Sequence, residues 1–329
     1  MKDTDYLSIS SRIRAMENRL ITRERRERML EARTDEEAAK ILTECGYAEP
    51  EDLSAAGVNA VLTRARTELF EDLAKSVPEK SLVQVFQIKY DYHNAKAILK
   101  AEAMGEDSRR LLMAGGRYDP DTLADLLRRG ESREFSPLFA HAVEEARRAL
   151  TDHHDPQRAD LVLDRACYEE MGVQAKKSGS AFLQGYVRLA VDGVNLRTRV
   201  RCERLGVNSE LMKASLLPGG NVPAAEVWSR KAGELPNLFS STPLAGAAQL
   251  GGALLGSEGG SLTAFERACD NALTAYLTQA KRIPFGEQPV VSYLCVREAE
   301  ATAIRTILSG RKAGLSADAI RERLRECYV

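Results

Sequence analysis

The sequence predicts an all-α protein assembled from three similar helical-bundle units. Three observations carry that expectation. Ala, Leu, Glu and Arg dominate, while runs of β-branched residues and Asn-Gly hairpin signals are missing. Capping residues mark helix starts and stops along the chain. A ten-residue signature recurs at intervals of about one hundred residues, which is the mark of one structural unit built several times.

The helices follow in order. The first is expected near residues 5–32, with Leu7, Ile13, Met16, Leu20 and Leu30 as its core stripe. Arg12, Arg19, Arg23 and Arg26, with Glu24 and Glu27 among them, lie opposite, either as a salt-bridged solvent face or as a contact surface for another protein of an assembly. Thr34-Asp35-Glu36-Glu37 has the form of a capping box, in which Thr34 accepts from the helix and Glu37 reaches back. Further helices are expected near 58–76 and 80–104. Asp119-Pro120, Ser136-Pro137 and Asp155-Pro156 each set a cap before a proline at the first helical position, and so start helices near 120–129, 137–151 and 157–177. A long helix near 180–205 follows. Gly46, Gly105 and Gly206 each follow a helical stretch as left-handed terminators.

Leu216–Gly260 is rich in Gly and Pro and reads as the least rigid segment, with Thr242-Pro243 as a further cap and a run from Leu250 to Gly256. Helices near 262–282, 289–310 and 317–327 close the chain. A 25-residue helix is about 38 Å long, so the longest of these are stiff struts.

The signature starts at Asp91, Asp192 and Glu300, each fourteen residues before a glycine (Gly105, Gly206 and Gly314). It reads Asp91-Tyr92-His93-Asn94-Ala95-Lys96, then Asp192-Gly193-Val194-Asn195-Leu196-Arg197, then Glu300-Ala301-Thr302-Ala303-Ile304-Arg305. The repeat divides the chain into units 1–107, 108–207 and 208–329. On a helix, positions three apart share a face, so Asp91 lies beside Asn94 and Asp192 beside Asn195. Lys96, Arg197 and Arg305 point about 200° round from the acid and leave that face. Two readings stand. In one, acid and amide tie the helix to its own bundle or to the next unit, while the base stays in water. In the other, three equivalent polar faces line a central socket for one axial partner. Ala303 takes the place of the amide in the third copy, and Glu298 is a nearby substitute for it.

Composition excludes several classes. With 47 basic and 48 acidic side chains the net charge is −1, so no broad field holds nucleic acid or an anionic bilayer. No stretch approaches the roughly 18 continuous apolar residues of a spanning helix. The charged opening Met1-Lys2-Asp3-Thr4-Asp5 is unlike a signal peptide. The six cysteines form no Cys-x-x-Cys pair and read as buried thiols in a reducing compartment. His153-His154-Asp155 reads as a capped turn, because adjacent helical residues diverge by about 100° and cannot share one ion. The glycines from Gly251 to Gly260 lack the Gly-Lys-Ser/Thr of a phosphate loop, and Gly115-Gly116-Arg117 reads as an isolated turn. No catalytic constellation, nucleotide site, cofactor or metal is expected.

Several stretches resemble the C subunit of prokaryotic V-type (A-type) ATPases, which is related to the d subunit of the eukaryotic enzyme. They are Ser11–Leu20 with Leu42–Tyr47, then Lys89–Lys96, Ala190–Leu196, and the closing run from Phe265-Glu266 through Phe285–Val290 to Ile304-Arg305. The resemblance implies a funnel of three helical domains about a pseudo-three-fold axis. It implies one end seated on the membrane proteolipid ring and the other receiving the shaft formed by the D and F subunits. The chain would then be a non-catalytic central-stalk coupler, peripheral on the cytoplasmic face of the membrane. It would carry torque for ATP-coupled proton or sodium transport without binding nucleotide. Asp91, Asn94, Lys96, Asp192, Asn195, Arg197, Glu298, Glu300 and Arg305 are the socket candidates. The alternatives are a soluble helical scaffold that binds another protein and is unrelated to a membrane complex, and an enzyme built on a buried acid–base pair such as Asp192 near an arginine.

Overall fold

The structure, a computed structural model, describes residues 3–256 and 261–329, and no strand occurs among them. In order the helices are α1 (Leu7–Glu17), α2 (Arg23–Glu31), α3 (Asp35–Glu44), α4 (Ala55–Ser76), α5 (Ser81–Met104), α6 (Pro120–Arg129), α7 (Pro137–Thr151) and α8 (Pro156–Lys177). They continue as α9 (Ala181–Arg204), α10 (Ser209–Ser215), α11 (Ala224–Ser229), α12 (Leu235–Leu238), α13 (Ala245–Gly256), α14 (Leu262–Thr278), α15 (Glu287–Lys312) and α16 (Ala317–Arg321).

The expected caps form where serine, threonine or aspartate supplies an oxygen. Thr34, Asp119, Ser136 and Asp155 each accept an N–H from the first turn of α3, α6, α7 and α8. Gly46, Gly105, Gly206 and Gly314 all take positive φ. Thr242 departs from expectation. Its hydroxyl turns back to Phe239 O, and α13 starts only at Ala245, beyond Pro243.

Two other expectations change. The helix expected over 5–32 is broken into a 3-10 turn, α1 and α2. Thr22 caps α2 by accepting Arg25 N–H, and the Ile21 N–H is drawn to Glu300 of α15, so neither can continue α1. Leu7 lies outside the core at 53% exposure, while Ile13, Leu20 and Leu30 are buried. The last helix stops at Arg321 instead of running to 327. The backbone beyond it bonds elsewhere, Arg325 O to Arg26 and Glu326 N–H to Asn271.

The segment expected to be least rigid holds α11, α12 and α13, and its Val227, Leu235, Phe239 and Leu244 are buried. Its glycines serve packing. A Cβ at Gly251 would stand 2.9 Å from Phe265 of α14 and 3.0 Å from Val200 of α9, so only glycine lets α13 lie this close. Gly259 and Gly260 fall outside the described residues.

Three apolar clusters organise the molecule. The largest joins α5 to α6, α7 and α8, and also takes the first half of α9 (Leu183, Val187) and of α15 (Val290, Leu294). The second joins the later half of α9 (Leu196, Val200) to α11–α14. The third joins the later half of α15 (Ile304, Ile307) to α2, α3 and the start of α4. Ile304 and Ile307 are fully buried, and each contributes about 2 kcal/mol by burial. Each signature helix therefore packs against the stretch of sequence that follows it, and for α15 that stretch is the beginning of the chain.

Candidate functional site

The signature residues sit mid-helix on α5, α9 and α15, where the following loop crosses the helix. In the first copy Asp91 Oδ1 accepts the backbone N–H groups of Arg117 (2.9 Å) and Tyr118 (3.3 Å), while Oδ2 accepts Arg117 Nε at 2.6 Å. Asn94 pairs with the backbone of one residue in both directions, receiving Met113 N–H at 2.8 Å and donating to Met113 O at 2.9 Å. The second copy repeats this. Asp192 Oδ1 accepts Val222 N–H at 3.0 Å, and Oδ2 accepts the Asn221 amide at 2.7 Å. Asn195 receives Leu217 N–H and donates to Leu217 O, both at 2.8 Å.

Close approach of loop to acid explains a pair of glycines. A Cβ at Gly116 would stand 2.2 Å from Asp91 Oδ1, and one at Gly220 would stand 2.2 Å from Asp192 Oδ1. Gly115-Gly116 and Gly219-Gly220 are thus one feature seen twice, each opened by a glycine at positive φ. The turn at Gly115-Gly116-Arg117, read from sequence as isolated, is part of the repeat. Comparing Leu112–Tyr118 with Leu216–Val222 would have found it, since both set a leucine three residues before the double glycine.

The third copy solves the same problem with a longer acid. Glu300 Oε1 accepts Ile21 N–H, and Oε2 accepts the Tyr47 hydroxyl at 2.6 Å together with Arg297. No glycine stands at this loop. The extra methylene of Glu300 spans the distance that Asp91 and Asp192 close by bringing a bare backbone to the helix. Ala303 supplies no amide. Glu298 does not replace it, because it turns to α5, taking the Lys89 ammonium and the Tyr90 hydroxyl.

Lys96, Arg197 and Arg305 leave the acid's face as expected, but they do not stay in water. Lys96 pairs with Asp164 of α8 at 2.6 Å, Arg197 with Asp270 of α14 at 2.7 Å, and Arg305 donates to Asn59 of α4 at 2.6 Å. Each base reaches a helix of the stretch whose loop its acid holds. The side chains are long enough to lie along the neighbouring helix while their heads find partners at its surface.

Burial sets the electrostatics. Asp91, Asn94 and Asp192 are 0% exposed and Glu300 2%. Desolvation pushes Asp91 up to about 6, against the opposing pull of Arg117, which also engages Glu170 at 2.6 Å. Asp192 is raised for the same reason, opposed by the Val222 N–H and the Asn221 amide. Burial raises the Tyr47 phenol strongly, and the Glu300 carboxylate adds to it. Burial would also raise Glu298, but Lys89 and Tyr90 outweigh it and hold that carboxyl below its usual range. Such groups act as fixed ties between helix and loop: every signature acid has its oxygens committed to the chain's own N–H and O–H donors.

The arginines of the N-terminal stretch divide. Arg12 pairs with Asp72 at 2.7 Å on the surface, whereas Arg26 is buried beside the C-terminal segment. Among the described residues no group of His, Cys, Asp and Glu side chains is placed to hold a metal ion, and no helix is long and apolar enough to cross a membrane.

Comparison with known proteins covers nearly the whole chain. The family model described as ATP synthase (C/AC39) subunit matches residues 9–323. The C subunit of a V-type sodium ATPase from Enterococcus hirae is 23% identical over 326 residues, 98% of this chain and 99% of the relative. The C subunit of a V-type ATP synthase from Thermus thermophilus is 26% identical over 78% of this chain and 79% of its own length. The C subunit of an A-type ATP synthase from Haloferax volcanii is 28% identical over 74% of this chain and 73% of its own length.

Proposed function

The chain belongs to the ATP synthase (C/AC39) subunit family and is a subunit of a V/A-type ATPase complex, and from that premise we propose that it is the central-stalk coupler, joining the D/F shaft to the proteolipid ring. It carries torque for ATP-coupled ion transport, binds no nucleotide itself, and sits at the cytoplasmic face as a peripheral component. Units 1–107, 108–207 and 208–329 stand about one axis as a funnel, with the shaft end held in its hollow.

The observation that supports this most is the third tie. Glu300 reaches back 279 residues to the Ile21 N–H, so the last signature helix holds the first loop just as the other two hold theirs. A coupler has to resist twist. A chain whose end is tied to its beginning deforms as one body, while an open string of bundles yields at each linker.

The nine socket candidates enter this reading as its frame. Asp91, Asn94, Asp192, Asn195 and Glu300 fix the loops that shape the seat. Lys96, Arg197, Glu298 and Arg305 lock neighbouring units around it. The test is a pull-down of the purified chain against the D/F heterodimer at low and high salt. Retention that weakens as salt rises supports a polar seat, and failure to retain the heterodimer at any salt contradicts it.

A further inference from the structure

Where the C-terminal segment crosses α2 and α14, an open groove of about 650 Å³ gathers Arg23, Arg26, Arg267, Arg321 and Arg325. This concentration stands out in a chain whose net charge is −1. Two of the five are neutralised: Arg321 by Glu27 at 2.7 Å and Arg325 by Asp270 at 2.5 Å. The other three meet no carboxylate among the described residues. Arg26 gives Nη1 to Arg325 O at 2.7 Å, and Arg267 gives Nη1 to Glu322 O at 3.3 Å. Glu326 is the remaining acidic side chain on the lining, and it leaves a positive excess.

A second observation points to a ligand. Arg26 is only 7% exposed and lines the groove, yet no carboxylate pairs with its guanidinium among the described residues. A buried guanidinium without a counter-charge is costly, and a fold keeps one where an anion completes it. Guanidinium forks match the paired oxygens of a tetrahedral oxyanion better than those of any neutral group.

We propose that this groove is a binding site for a phosphate-class oxyanion, either free inorganic phosphate or the headgroup of an anionic phospholipid. Arg26 is the buried donor, and the exposed Arg23 and half-buried Arg267 are the clamps at the rim. The site lies between the two ends of the chain, so a bound oxyanion would bridge the N-terminal stretch to the C-terminal segment. The proposal does not depend on the coupling role, and the isolated full-length chain suffices to test it.

The experiment titrates the purified chain with inorganic phosphate by calorimetry, with chloride as control at matched ionic strength, and compares Arg23→Gln/Arg267→Gln. Both residues are on the rim, so the variant is expected to keep the circular dichroism and thermal midpoint measured in chloride. Saturable phosphate binding, weakened about tenfold or more in the variant, supports the site, since each charged hydrogen bond is worth that order. A second arm sediments the chain with phosphatidylcholine vesicles, with and without phosphatidylglycerol. Binding to the anionic vesicles alone, lost in the variant and competed by phosphate, assigns the headgroup. Phosphate binding without vesicle binding assigns the free ion. If the variant is unstable in chloride, Arg26→Lys is used, which keeps the charge and removes the guanidinium fork, and the same weakening is expected. No saturable phosphate or vesicle binding by the parent chain, or equal binding by parent and variant, overturns the proposal.

Discussion

The hydroxyl of Tyr47 donates a 2.6 Å hydrogen bond to Oε2 of Glu300, across 253 residues of chain. The Arg297 guanidinium covers the Tyr47 ring at 4.2 Å and pairs with the same carboxylate. One buried carboxylate thus carries a backbone N–H, a phenol and a guanidinium, and it joins the first stretch of the protein to the last.

Glu300→Gln is expected to cost about 3 kcal/mol, because it leaves Arg297 buried without its counter-charge. Tyr47→Phe is expected to cost about 1–2 kcal/mol, and the double variant less than the sum. Denaturant unfolding measures all three. Strict additivity would mean that the two groups do not share one network.

Gly116→Ala and Gly220→Ala are each expected to destabilise by about 1–3 kcal/mol, through overpacking of the acid against the loop. In an Asp91→Ala background the penalty of Gly116→Ala should shrink, since the oxygen that a Cβ would meet is gone. An unchanged penalty would place the strain elsewhere in the turn.

Asn94→Ala and Asn195→Ala each strip the partners from both backbone groups of a loop residue. Each is expected to cost about 2–3 kcal/mol. Amide hydrogen exchange is the sharper readout. Protection at Met113 N–H and Leu217 N–H respectively should fall well before the helices loosen, and protection equal to the parent's would show that the amides do not hold the loops.

The raised Asp91 pKa gives a pH dependence with a definite sign. With its folded value near 6 and its ordinary value at 3.8, the folded protein binds the extra proton between them. Stability contributed by Asp91 is therefore fully present below about pH 4 and falls as pH rises to about 6, by up to about 3 kcal/mol. Relative to Asp91→Asn, which does not titrate, the parent should lose ground across that window. A parent that gains on the Asn variant over the same range would mean that Arg117 and the loop N–H groups outweigh burial.

The helical class, the long struts and the capped starts were legible because they rest on local chemistry: an oxygen at Ser136 or Asp155, a proline after it, a glycine at the end. The signature was legible too, since its acid and amide keep one spacing through two copies. Its partners were harder to see. What Asp91 touches is set by a loop 26 residues on, and what Glu300 touches by a loop 279 residues back. The double glycines at Gly115-Gly116 and Gly219-Gly220 carried that information, but their meaning needs the carboxylates beside them. The broken first helix was missed for a related reason. Periodicity runs smoothly through residues 5–32, and the cap at Thr22 and the pull of Glu300 on Ile21 show where it must part.

ATP-driven ion transport in liposomes, reconstituted from the head, the D/F shaft and the proteolipid ring with and without this chain, tests the central claim most directly. With the chain present, hydrolysis is expected to drive transport and the ring to co-purify with the shaft. Without it, hydrolysis should continue while transport stops and the ring is lost. Full transport and an intact shaft–ring complex in the absence of the chain would contradict the coupling role.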